Sequence, residues 1–147
     1  MPNFVRGDDL TLIPRILIAD RQMEILELFT RILEGDSSVS CYTSDDNEDL
    51  LRQIREVSFA IMLLDVQMVL YNHFALLRTI REISPATTIL IMGYLEELEA
   101  IKKGVDFGAS GYIIKPVMAR DLRKEVGKCL LSPTPRRAEP PTGQVST

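Results

Sequence analysis

Short apolar runs punctuate the chain: ILIA at 16–19, FAIMLL at 59–64, TILIM at 88–92 and YII at 112–114. Each has strand length, and none alternates with polar residues. That is the pattern of strands buried on both faces, as in a parallel sheet. A weaker run, VSCYT at 39–43, does alternate and fits an edge strand. Helical spacing fills the gaps. Ile25, Leu28, Phe29, Ile32 and Leu33 share one face, and Leu50, Leu51, Ile54 and Val57 share another after the cap-rich SDDNED. Phe74, Leu77, Ile80 and Arg81 follow the next strand; Leu95, Leu98, Ile101 and Val105 the one after; Leu122, Val126, Cys129 and Leu130 come last. The order is strand then helix, five times over. It predicts an α/β fold: a doubly wound, five-stranded parallel sheet with right-handed crossovers and helices on both faces.

This predicts one domain over 14–131. Residues 1–13 show no period and are expected to be an N-terminal extension. Residues 132–147, SPTPRRAEPPTGQVST, are rich in Pro, Ser and Thr and read as a disordered tail or linker. There is no internal repeat, and no helix-turn-helix is expected after the domain.

Totals narrow the classes. A chain of 147 residues can bury a sizeable core. A net charge of −4 argues against nucleic acid as the main partner. The longest apolar run, 59–64, is far too short to span a bilayer. No signal peptide is visible at the N-terminus. Cys41 and Cys129 form no CxxC motif, so two reduced thiols in a cytoplasmic protein are expected, with a single disulfide as the other possibility.

In open parallel sheets, ligands bind at the carboxyl ends of the strands. There the runs deliver Asp20-Arg21, Asp65, Gly93-Tyr94 and Lys115-Pro116. Taken alone, Asp20 is as easily a helix N-cap and Lys115 a solvated lysine. Asp65 suits a cap less well, because the next helical pattern starts several residues later. Two acids and a lysine at successive strand ends carry the functional reading. A small flavodoxin-like enzyme or nucleotide binder is the poorest alternative: DRQM follows the first strand where a Gly-rich phosphate loop would stand.

Over roughly residues 15–131, ILIADRQMEILELF, IMLLDVQM, ILIMGY and GASGYIIKP resemble the receiver domains of two-component response regulators. The resemblance implies that Asp65 accepts a phosphoryl group, with Met68 in its usual place after it. It implies that Lys115 pairs with the phosphoryl oxygens and that Tyr112 is the switch aromatic. Mg²⁺ would be held by Asp20, Asp65 and the Gln67 backbone carbonyl. The implied partners are a sensor histidine kinase or phosphotransfer protein, and an effector or second copy on a face drawn from residues 95–131. No enzymatic role is implied beyond taking a phosphoryl group from a donor and losing it.

The departures are specific. Arg21 stands where the family has its second acid, Gly93 where it has the switch Thr or Ser, Val69 where it has proline, and Asn72-His73 where it has an acid-Gly pair. The usual pocket holds three carboxylates and a lysine. Here Asp20 and Asp65 face Arg21 and Lys115, a net of zero. At about 4 Å and an effective dielectric near 20, a unit-charge pair is worth roughly 4 kcal/mol. An inward Arg21 would therefore weaken Mg²⁺ binding by several powers of ten, its guanidinium forked onto Asp65 or Asp20 in the metal's place. An Arg21 turned to solvent would not. Two readings follow: a phosphoacceptor with weakened Mg²⁺ dependence and switching, or a phosphorylation-independent pseudo-receiver that binds proteins. His73, the lone histidine, is expected at the pocket rim, and Glu96, Glu97 and Glu99 are explained by the dipole of the helix they open.

Overall fold

The computed structural model describes residues 4–6, 12–35 and 37–131. Five parallel strands form its centre: β2 (Leu12–Ala19), β3 (Ser40–Ser44), β4 (Ile61–Asp65), β5 (Thr88–Tyr94) and β6 (Gly111–Lys115). Their spatial order is β3-β2-β4-β5-β6, with β3 at one edge and β6 at the other. The five-stranded parallel sheet read from the apolar runs is therefore the observed one. A further strand, β1 (Phe4–Arg6), pairs antiparallel with Leu12–Pro14. Part of the segment expected as an N-terminal extension thus forms a strand, which the sequence did not signal because three residues are too few to show a period. The tail predicted over 132–147 lies outside the described residues.

Strand pleating sends alternate side chains to opposite faces, which explains why the runs do not alternate in polarity. Ile16, Ile18, Ile61, Leu63, Met92 and Ile113 pack toward α1 (Met23–Leu33) and α6 (Ala119–Leu131). Leu17, Met62, Leu64, Ile89, Ile91 and Tyr112 pack toward α2 (Asn47–Glu56), α4 (Tyr71–Ile83) and α5 (Leu98–Asp106). Both faces are dry, so both must be apolar.

Two predicted faces are off by a residue or more. In α1 the buried stripe is Leu26, Phe29 and Leu33, while Leu28 is exposed. Leu95 belongs to a single tight turn, Leu95–Glu97, ahead of α5 and is 65% exposed. A short helix, α3 (Val66–Val69), follows Asp65 at once, where a gap was expected.

The start of α4 is unusual. Asn72, His73 and Phe74 all have left-handed backbones, with φ of 53°, 55° and 60°. Each such residue costs roughly 1–2 kcal/mol when it carries a Cβ. Local contacts hold them there. The Arg78 guanidinium donates to the His73 carbonyl at 2.7 Å, and Phe74 stacks on Phe107 at 5.3 Å between centroids. Among the described residues no helix is long and apolar enough to cross a membrane. Cys41 and Cys129 are free thiols, and burial pushes them up to about 12 and about 11.

Candidate functional site

The carboxyl ends of β2, β4, β5 and β6 converge on a cavity of about 340 Å³ lined by Asp20, Arg21, Gln22, Asp65, Gln67, Tyr71, Tyr94 and Glu97. Asp20 directly follows β2, Asp65 ends β4, and Lys115 ends β6 ahead of a cis Lys115–Pro116 peptide. Crossover connections bring these distant positions together, because parallel strands all end at the same edge.

Asp20 is fully buried, and Asp65 and Lys115 nearly so. The Lys115 ammonium donates to Asp20 Oδ2 at 2.8 Å and to Asp65 Oδ1 at 3.2 Å. A third bond runs to Gln22 Oε1 at 3.3 Å, and the ammonium stands 4.8 Å from the Tyr94 ring centroid. The Tyr94 hydroxyl in turn donates to Gln22 Oε1 at 3.2 Å. Asp20 does not cap α1. Its Oδ1 instead accepts from the Gln22 backbone N–H at 2.8 Å, an Asx-type turn that fixes the carboxylate.

Burial raises the Asp65 carboxyl above the ordinary range, and the Asp20 charge raises it further; Lys115 opposes both, and Glu97 adds a smaller push upward. For Lys115, burial alone would pull the ammonium down. The hydrogen bond to Asp20 and the charges of Asp65 and Asp20 outweigh that and hold it above its usual value.

Several expectations change here. Arg21 is exposed at the cavity rim and makes no hydrogen bond or ion pair with either acid. The forked guanidinium does not form, because Lys115 already occupies the space between the carboxylates. The count of two acids against two cations is also short by one: Glu97 lines the cavity as a third carboxylate. Its role is not confined to the helix dipole. Glu97 Oε1 accepts from the Tyr94 N–H at 2.8 Å, and its Oε2 accepts from the Gln67 side-chain amide. Gln22 and the Gln67 side chain were likewise missed, and Tyr94 was placed at its strand end but given no role. The signal for Glu97 was present in the sequence, since a Glu at this place in a helix start bonds back to the backbone, but its reach to Gln67 is tertiary.

The other positions fall as follows. Tyr112 is 2% exposed and packed inward. Gly93 is buried in β5 beside Val66 and Ile101. Met68 and Val69 are buried under the Asp65 loop, and Asn47 Nδ2 donates to the Met68 carbonyl at 3.2 Å. His73 is exposed, in the left-handed turn.

A divalent cation fits this donor set poorly. Among the described residues no group of three His, Cys, Asp or Glu side chains is placed to hold a metal. Lys115 lies between Asp20 and Asp65, and both Glu97 oxygens already accept N–H groups.

Comparison with known proteins agrees with this geometry. The model of the response regulator receiver domain matches residues 16–127. The transcriptional regulatory protein ZraR of Salmonella typhimurium is 28% identical over 131 residues, covering 89% of this chain and 30% of that protein. A CpxR homolog of Haemophilus influenzae is 26% identical over 132 residues, covering 90% of this chain and 55% of that protein. Among solved structures, a CheY-like response regulator receiver domain protein from Methanospirillum hungatei superposes with a TM-score of 0.74 at 26% identity, covering 82% of this chain and 96% of that one. The chain thus spans under a third of the first relative and about half of the second. With Asp65 ending β4, Lys115 ending β6 and the match over 16–127, the chain belongs to the response regulator receiver domain family.

Proposed function

We infer that Asp65 accepts a phosphoryl group from the phosphohistidine of a sensor histidine kinase or phosphotransfer protein, and that the domain signals through protein–protein contacts. The supporting observation is the Asp65 carboxylate, open to a cavity on one side and held 3.2 Å from the Lys115 ammonium on the other. In the reaction an Asp65 oxygen attacks phosphorus, the P–N bond to the donor imidazole breaks, and the imidazole takes up a proton as it leaves. Such transfer needs positioning and charge neutralisation more than covalent help. Lys115 supplies positive charge at the acceptor, Asp20 and Gln22 hold Lys115, and Arg21 adds positive potential at the rim. Receiver domains generally bind Mg²⁺ at this pocket. Here the donor set makes that binding weak, and the domain does no chemistry beyond gaining and losing the phosphoryl group.

The pseudo-receiver reading draws on a separate observation. Gly93 has no hydroxyl to move and Tyr112 is already packed inward, so the usual switch lacks both its trigger and its travel. Intact mass separates the two readings. The chain is incubated with a small acyl phosphate, with and without Mg²⁺, beside Asp65→Asn. One phosphoryl adduct, absent from Asp65→Asn, is the expected result. No adduct on folded protein would leave the pseudo-receiver.

A further inference from the structure

Three carboxylates line the cavity, and Glu97 differs from Asp20 and Asp65 in having no bond to the Lys115 ammonium. One of its bonds is ordinary. Glu97 Oε1 closes back on the Tyr94 N–H, as a Glu three residues into a helix start commonly does. The other is not. Gln67 comes two residues after Asp65 and thirty before Glu97, so the Oε2 bond crosses from the Leu95–Glu97 turn to α3. The carboxylate reaches this place because residue 93 has no side chain. A Cβ there would lie 2.9 Å from Glu97 Oε1, 2.8 Å from Ile101 Cδ1 and 3.1 Å from Val66 Cγ1. A hydroxyl residue at 93 and Glu97 in this pose exclude each other.

The geometry points to Glu97 as the residue that couples Asp65 to the start of α5: a positioning carboxylate, seated where Gly93 leaves room, whose hold on Tyr94 and Gln67 weakens as negative charge collects on Asp65. The role usually given to residue 93 passes to a residue four places on, and its sign reverses. A switch hydroxyl is drawn toward a new phosphoryl group; a carboxylate is driven from it. Coupling between two sites is reciprocal. Glu97 and Asp65 line one cavity, so charge placed on either acts on the other. The inference rests on the phosphoacceptor reading only for the source of added charge.

The test needs no phosphoryl transfer. Amide exchange at Tyr94 and the side-chain amide signals of Gln67 are followed by NMR in the full chain, in Asp65→Asn, in Glu97→Ala and in the double variant. Glu97→Ala should speed Tyr94 exchange about tenfold, the loss of a charge-assisted bond, and move the Gln67 signals to those of a free amide. Asp65→Asn should slow Tyr94 exchange severalfold with Glu97 present and leave it unchanged in Glu97→Ala. Gly93→Ala should reproduce Glu97→Ala; if it fails to fold, Glu97→Ala, which adds no volume, decides alone. Equal Tyr94 exchange with and without Glu97, or the same Asp65→Asn effect in both backgrounds, overturns the proposal. A missing adduct in the mass experiment would sink the phosphoacceptor reading and leave these outcomes intact.

Discussion

Lys115 holds two buried carboxylates together, and its removal shows what the pocket costs. Lys115→Met keeps the length of the side chain and deletes the ammonium. Asp20 and Asp65 then share a dry site without a cation, which is strongly unfavourable; breaking buried pairs costs about 3–5 kcal/mol. The pH dependence has a definite sign. Asp65 already titrates above an ordinary carboxyl because it is buried beside Asp20. The folded state therefore binds its proton more tightly than the unfolded chain does, and stability falls as pH rises from the ordinary carboxyl range through the raised value. Without Lys115 that window widens upward. Urea denaturation should show a large deficit for Lys115→Met at pH 7.5 and a smaller one at pH 5. A deficit equal at both pH values would mean that the carboxylates are not the source. The native lysine has the same sign in a far more alkaline window. Raised above its usual value, it keeps its contribution through neutral pH and loses it only in strong alkali.

The elements were legible to the extent that their signals were local. Ile16–Ala19 and Ile61–Asp65 declared buried strands because parallel pairing leaves no polar face, and the structure covers both faces. Asp20, Asp65 and Lys115 could be placed at one edge because strand ends in this topology meet there. Arg21 could not be oriented from the sequence: whether a long cation turns inward depends on whether another cation already occupies the space. Glu97 was visible as a helix-start residue, but its bond to Gln67 needs two loops brought together. Leu28 and Leu26 could not be told apart because both fit a helical stripe when the phase is unknown. The left-handed turn had only a weak signature, the Asn72-His73 pair. Asn72 and His73 are of types that enter this region more readily than most, but a bulky Phe74 ordinarily does not. This makes position 73 a clean test. His73→Gly keeps the carbonyl that Arg78 contacts and removes the Cβ that makes φ of 55° costly. The variant should gain up to about 1 kcal/mol, the strain relieved less the freedom glycine adds to the unfolded chain, read as a higher urea midpoint with an unchanged slope. Loss of stability would show that the segment is not held left-handed in solution.

At the scale of the whole molecule, the fold does what any doubly wound sheet does: it gathers strand ends into one charged cleft. What differs is the cleft's balance of charge, and this bears directly on the metal. Counted with Glu97, the cavity has three carboxylates against Lys115 within and Arg21 at the rim. The charge opposing a cation is therefore smaller than a count of two acids and two cations gave. Because Arg21 is exposed, solvent and salt screen its effect. Arg21→Asp should tighten Mg²⁺ binding by roughly tenfold or more, by removing a nearby positive charge and adding a hard oxygen ligand. Arg21→Gln separates the two contributions, since it removes the charge and adds no carboxylate. Titration of Mg²⁺ followed by amide shifts around Asp65 should rank the affinities Asp above Gln above Arg at position 21. Equal affinities in all three would mean that Lys115, seated between Asp20 and Asp65, alone decides whether a cation enters. The same titration in Lys115→Met would then show the increase that Arg21→Asp had not.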